Sequence, residues 1–198
     1  MRKILFIANL LCICLICNAE KVTRTDGFKD GESKFGFEQT ATKHNSVSLD
    51  GEYLVVASKK DWYKTSTRFP LIARENFKIT YKLLLPKLDE KHIFGLVFNY
   101  DEDEDKGDIL YITENKFYIR DEDGNKLGKT EKIKLKKGKD VELTIDIEKK
   151  GKKTIISING VDFENPDLLF KTSYMGFCVN EKNTLKVDEI TITQNVDD

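Results

Sequence analysis

The chain has 198 residues, 33 of them basic and 34 acidic, for a formal net charge of -1. So even a balance supplies no overall field to draw in nucleic acid or an anionic membrane surface. Charged residues are 34% of the chain and recur on alternate positions and in turns, the pattern of a well-solvated surface around a single domain.

Residues 1–19 read as a secretory signal. Arg2 and Lys3 give a positive start, residues 4–16 form an apolar run interrupted by Asn9, and Cys17-Asn18-Ala19 offers small residues for cleavage after Ala19. The run is shorter than the roughly 20 apolar residues a permanent span requires. The expectation is a secreted or periplasmic protein with no membrane segment after cleavage. Lipidation at Cys17 or an uncleaved anchor are the alternatives, the former disfavoured by the bulky Ile16. Of the four cysteines, Cys12, Cys14 and Cys17 fall in this segment. Cys178 is then the remaining thiol, and the mature chain has no intramolecular disulfide. A chain of this size can hold its fold by burial alone, since about 70% of its unfolded surface is covered on folding. Cys178 is expected to pack as a small apolar group in a strand rather than to react.

Residues 20–45 are rich in Gly, Lys, Asp and Thr with little periodicity, and read as a leader joining the edge of the domain. From residue 46 to 198 period-two alternation dominates and no helix is expected. Phe77, Ile79, Tyr81 and Leu83 alternate with Lys78, Thr80 and Lys82; Val141, Leu143, Ile145 and Ile147 alternate with Glu142, Thr144, Asp146 and Glu148. This is how half-buried antiparallel strands read. Strands are expected over 53–58, 76–86, 92–100, 108–113, 117–121, 131–135, 140–149, 152–159, 174–180 and 184–194. Asp50-Gly51, Asp123-Gly124-Asn125, Lys137-Gly138, Lys150-Gly151 and Asn159-Gly160 supply the reversals between them. Many strands in series, joined by hairpins and without crossover helices, predict an all-β, two-sheet antiparallel sandwich.

Several of these pieces, in this order, resemble the concanavalin A-like lectin/glucanase superfamily in its small laminin-G-like form. They are Phe28-Lys29-Asp30, the stretch from Ser48 to Val55, Asn76 to Tyr81, Phe94 to Tyr100 with Ile109 to Ile112, Ile156 to Gly160, Gly176-Phe177, and Val187 to Ile192. The resemblance covers residues 28–194 and implies a jelly-roll sandwich. It also implies the superfamily's roles: glycan binding, glucan hydrolysis, or protein contacts in secreted assemblies. One departure is Gly36-Phe37, where many relatives carry a Trp.

The hydrolases of that superfamily use Glu-x-Asp-x-x-Glu, and no Glu-x-Asp tripeptide occurs in this chain. The nearest substitute is Glu142, Asp146 and Glu148, which share a strand face. Residues two apart on a strand lie roughly 6.6 Å apart, compatible with glycosidase carboxylates at about 5 to 9.5 Å; a solvated face paired with lysines is the simpler reading. Neither His44 nor His92 has a sequence neighbourhood suggesting a triad. The acidic run 101–108 places Asp101, Asp103 and Asp105 on alternate positions, where their oxygens could meet Ca²⁺. Laminin-G-like domains often hold that ion at the sandwich rim. A hairpin tip kept soluble by repulsion explains the run without a metal and is the simpler reading.

Parity across the central hairpin marks a surface. With Leu96, Phe98, Leu110, Ile112, Phe117 and Ile119 inward, Asn99, Tyr111, Tyr118 and Arg120 point outward on one sheet, Tyr100 sits beside the acidic loop, and Trp62 adds a ring from a loop. Tyr rings stack on the C–H faces of sugars while amide and guanidinium groups bond hydroxyls. These residues predict a non-catalytic recognition module for carbohydrate. A contact module for an extracellular or envelope protein is the alternative, and a hydrolase with displaced carboxylates comes third.

Overall fold

A computed structural model describes residues 20–136, 138–165 and 167–196; the expected signal segment lies outside them. The described chain forms fifteen strands: β1 (Glu20–Asp26), β2 (Thr40–Ala41), β3 (Asn45–Leu49), β4 (Leu54–Ser58), β5 (Tyr63–Arg68), β6 (Phe77–Leu85), β7 (Phe94–Asp101), β8 (Lys106–Ile112), β9 (Lys116–Arg120), β10 (Lys126–Lys132), β11 (Val141–Lys150), β12 (Lys153–Ile158), β13 (Val161–Glu164), β14 (Tyr174–Val179) and β15 (Asn183–Val196). They build two antiparallel sheets. The larger has nine strands in the order β13-β12-β11-β6-β15-β4-β3-β2, with β1 also on β15; the smaller has six, in the order β10-β9-β8-β7-β14-β5. The expected all-β sandwich is what the chain forms.

The alternation seen in the sequence sets the packing. Along β6 every second residue from Phe77 to Leu85 is buried, and the partners Ile79↔Ile147 and Tyr81↔Ile145 place β11 in the same phase. From the smaller sheet Leu96, Phe98, Leu110, Ile112, Ile119 and Phe177 face them across one continuous core. Burial at about 25 cal/mol per Å² of apolar surface supplies the drive that no disulfide supplements. Tyr81 sits at the centre, edge-on to Phe177, and its hydroxyl has no hydrogen-bond partner among the described residues. At the β12–β13 hairpin Asn159 and Gly160 both have positive φ, 49° and 80°, as a two-residue turn between right-twisted strands requires.

Residues 20–45 contribute more than the sequence suggests. β1 runs the full length of the second half of β15, from Glu20↔Val196 to Asp26↔Ile190. Asp26, buried at the end of β1, accepts hydrogen bonds from the Ser33 hydroxyl and the Phe28 and Phe35 amides, and so folds the following segment inward. Phe28, Phe35 and Phe37 thereby join the core, with Phe37 against Phe28, Phe69 and Phe177. A boundary at residue 46 therefore does not divide the core. Phe37 fills the position where the resemblance led one to look for Trp.

Candidate functional site

The outer face of the six-stranded sheet has an unusual lining. In register across the sheet run Tyr118 (β9), Tyr111 (β8), Gly95 (β7), Cys178 (β14) and Lys64 (β5). The next row holds Arg120, Ile109, Val97, Gly176 and Ser66. The middle strands thus carry Gly, Val and Cys on this face while their alternate residues, Leu96, Phe98 and Phe177, fill the core. A Cβ on Gly95 would lie 2.7 Å from Cys178 Sγ and 2.9 Å from Ile109 Cγ2, so glycine is required for the close approach. The centre of this face is therefore close-packed and buried, with the bulkier groups on its flanks.

Trp62, just before β5, is 50% exposed and meets Tyr111 edge-on at 5.4 Å between ring centroids. Since β5 and β8 are separated by β14 and β7, the two rings meet over these intervening strands, where Gly95 and Cys178 are buried. Tyr111 stacks on Tyr118 at 5.2 Å and 26°, and the Arg120 guanidinium stands 5.8 Å from the Tyr118 ring centroid. Arg120 also donates to the Gly124 carbonyl at 2.6 Å, which steadies it beside the rings. Burial pushes the Tyr111 hydroxyl up to about 12 and the Cys178 thiol up to about 12, so both are neutral near pH 7. Cys178 is a buried thiol packed in a strand.

Four predicted residues, Trp62, Tyr111, Tyr118 and Arg120, are therefore brought together. Two others are not. Asn99 is a correction: it is buried rather than outward, because the strand is irregular between Phe98 and Asp101 and Asn99 takes φ 53°. Its amide donates to Asp108 and to the Leu169 carbonyl, both at 2.6 Å, and accepts from the Lys171 and Thr172 amides. It is a staple between the hairpin and segment 169–172, with its polar atoms committed. Tyr100 does lie beside the acidic loop, but its hydroxyl donates to Asp105 at 2.6 Å. Lys64 reaches over from β5 to pair with the same carboxylate at 3.0 Å, with its ammonium 5.6 Å from the Tyr100 ring centroid.

Asp101 turns back to accept from the amides of Asp103 and Glu104, while Asp105 faces Lys64 and Tyr100. Among the described residues no three His, Cys, Asp or Glu side chains converge.

The substitute carboxylates lie on the opposite side of the molecule, on the outer face of the larger sheet. Asp146 accepts from Thr80 at 2.6 Å and pairs with Lys78 at 2.9 Å; Glu148 pairs with Lys150 at 2.9 Å. They are engaged with their strand neighbours rather than aimed across a cleft, and Glu142 belongs to the same ladder. His92 hydrogen-bonds Asp89 at 2.6 Å through Nδ1, which holds that carboxyl well below the usual range.

Sequence reasoning missed the spacing device itself, although its signal was present: small residues at 95, 97, 176 and 178 share the parity opposite to Leu96, Phe98 and Phe177. It also missed Lys64, because β5, with the sequence YKTSTR, lacks apolar alternation.

No protein-family model and no curated protein matches this sequence. Solved structures do match, at the level of fold. The molecule is a concanavalin A-like jelly-roll sandwich. Among its neighbours, the cellulose-induced protein Cip1 superposes with a TM-score of 0.63 at 14% identity over 85% of this chain and 96% of that one. A Bacillus subtilis protein of galectin-like fold gives 0.58 at 11% identity, covering 89% and 90% of the two chains. A sialidase gives 0.58 at 14% identity over 79% of this chain, which corresponds to 16% of the sialidase. A Bacillus halodurans xylan β-1,4-xylosidase is likewise matched over 39% of its length, so the chain spans only a part of these two larger proteins.

Proposed function

We propose that this protein is an exported, non-catalytic module that binds carbohydrate on the outer face of its six-stranded sheet. The observation that carries this reading is the continuous row Trp62–Tyr111–Tyr118–Arg120 on the outer face of the six-stranded sheet. The half-exposed indole and the stacked phenol rings offer apolar faces to sugar C–H groups, and a guanidinium at the end of the row can donate to hydroxyls. The rigid strands beneath reduce the ordering cost of binding. Several neighbours of the same fold, the sialidase, the xylosidase and an alginate lyase of polysaccharide lyase family 7, are carbohydrate-active proteins, which favours a glycan over other ligands. The non-catalytic part of the proposal is supported by Asp146 and Glu148, which are held in lysine pairs.

The test is a glycan array with the purified, folded protein, repeated with Ca²⁺ and with EDTA, followed by calorimetry on the best glycan. Trp62→Ala and Tyr118→Ala are expected to weaken binding about tenfold or more with thermal stability little changed, as stacked rings contribute on the order of 1 kcal/mol or more each. A blank array from a monodisperse sample, with a stable protein partner in a pull-down, would replace this reading with a protein-contact module. Sugar release that Asp146→Asn abolishes would replace it with a hydrolase.

A further inference from the structure

A second recess lies away from the aromatic row, where the edges of the two sheets meet. It is a cavity of about 370 Å³ lined by Arg24 of β1, Arg68 at the end of β5, Gln194 of β15 and the connecting segment Phe69, Pro70, Leu71 and Ile72. Its floor is fixed. Gln194, itself buried, donates to the Ile72 carbonyl at 2.8 Å and accepts from the Ile72 amide at 2.9 Å. Phe69 is buried in the core, and the Leu71 amide closes a tight turn onto the Phe69 carbonyl at 2.8 Å.

The two arginines are set apart by their surroundings. Arg24, exposed on an edge strand opposite Ile192, donates from its guanidinium to the Pro70 carbonyl at 3.0 Å, which leaves its other N–H groups for a further acceptor. The side chain of Arg68, which pairs by its backbone with Tyr174, has neither a hydrogen bond nor an ion pair among the described residues, and neither guanidinium is ion-paired there. In a chain whose basic and acidic residues number 33 and 34, lysine pairs such as Lys78–Asp146 and Lys82–Glu189 are the ordinary arrangement. Two forked, permanently charged donors brought from different sheets to one recess, without a carboxylate of the protein between them, match a planar anion that accepts in pairs. Beside them Pro70, Leu71 and the 42% exposed Ile72 give an apolar ledge. The occupant is therefore an anion carried on a small body with an apolar edge rather than a bare ion.

We propose that this recess seats the carboxylate of an acidic sugar, with Arg24 and Arg68 on the carboxylate and the sugar's C–H edge on Pro70 and Ile72. The sugar component rests on the carbohydrate reading above; the carboxylate component rests on the arginines alone. The experiment is a titration of the ¹⁵N-labelled protein with glucuronate, glucose and acetate, followed by amide shifts, on the wild type and on Arg68→Gln, Arg24→Gln and Trp62→Ala. The Arg68 side chain is exposed and holds no hydrogen bond or ion pair among the described residues, so Arg68→Gln tests the recess with little effect on the fold.

Glucuronate is expected to shift the amides of residues 68–72 and Gln194, glucose to leave them unmoved, and acetate to bind more weakly than glucuronate. Arg68→Gln should weaken the glucuronate response about tenfold or more, since a charged hydrogen-bonded pair is removed. Raised salt should weaken it as well, whereas Trp62→Ala should leave it intact. Unmoved amides at 68–72, equal shifts with glucose, or an unchanged response in Arg68→Gln would each overturn the proposal. Acetate equal to glucuronate would overturn its sugar component. Loss of neutral-glycan binding in Trp62→Ala alongside a silent recess would leave the aromatic site standing and this inference refuted.

Discussion

On the outer face of the larger sheet, Lys78, Thr80 and Lys82 of β6 stand beside Asp146 of β11 and Glu189 of β15, and threonine hydroxyls pair across β1 and β15 at 3.2 to 3.4 Å. On the outer face of the smaller sheet, the corresponding positions of the central strands hold Gly95, Val97, Gly176 and Cys178, flanked by Tyr111, Tyr118 and Trp62. Both faces come from the same two-residue alternation. The first meets water with charges that satisfy one another, and each such exposed pair contributes little, about 0 to 1 kcal/mol. The second keeps charge to its margins, at Lys64 and Arg120, and removes bulk from its middle. A sheet that needed only solubility would have no reason to place glycine in two central strands, where it weakens them. The contrast separates a face that meets water with paired charges from one whose central strands are already buried within the chain.

The largest expected effect comes from crowding the packed centre of the smaller sheet's outer face. Gly95→Val would push carbon into Cys178, Ile109 and the Leu110 carbonyl, and should destabilise by about 3 kcal/mol in urea unfolding. A neutral result would break the claim that the centre is close-packed. Next, Asn99→Ala removes the amide that ties the hairpin to residues 169–172 and leaves buried Asp108 without its donor. A loss of about 2 kcal/mol is expected. If Asn99 belonged to the ligand face instead, glycan affinity would fall while stability held.

Cys178 sharpens the comparison through pH. Its folded-state acidity is weakened to about 12 by burial, so the folded protein retains a proton that the unfolded chain releases near pH 8.5, within about a unit. That contribution is complete below the unfolded value and is lost as pH rises toward the folded one. The stability of the wild type should therefore fall more steeply than that of Cys178→Ala above pH 9, and iodoacetamide at pH 8 should label only unfolded protein. The smallest effect belongs to the charged face. Asp146→Asn, which breaks the Lys78 pair, should cost no more than about 0.5 kcal/mol and leave glycan binding intact.

What could be read in the sequence follows from where burial is one-sided. β6, β11 and β15 bury one face and expose the other, so their alternation announced them. β5 hides its role because its residues are Thr, Ser, Lys, Tyr and Arg, and it is held at the edge by pairing with β14 rather than by apolar side chains. The four-residue β13 was missed as the short return arm of the Asn159-Gly160 hairpin. β10 was expected about five residues too late: its polar run from Lys126 to Lys132 pairs with β9 through a register shift, which parity does not reveal. The aromatic row was legible because Tyr111 and Tyr118 share a parity. Asn99 was misplaced because an irregularity in β7 reverses the parity on which its direction was counted. The arginine recess was out of reach, since Arg24 and Arg68 meet only after β1 and β5 have taken their places on different sheets.

The pairing of β1 with β15 has a further consequence, for the timing of folding. The hydroxyls of Thr25 and Thr191, joined side by side, are 166 positions apart along the chain, and β15 is also the neighbour of β4 and β6. β1 thus waits for a strand that follows it by more than 150 residues along the chain. Until then β1 has no mate and β4 and β6 lack the strand that lies between them. Closing so long a loop before its contacts repay it is slow, and the larger sheet stays incomplete until β15 docks between β4 and β6.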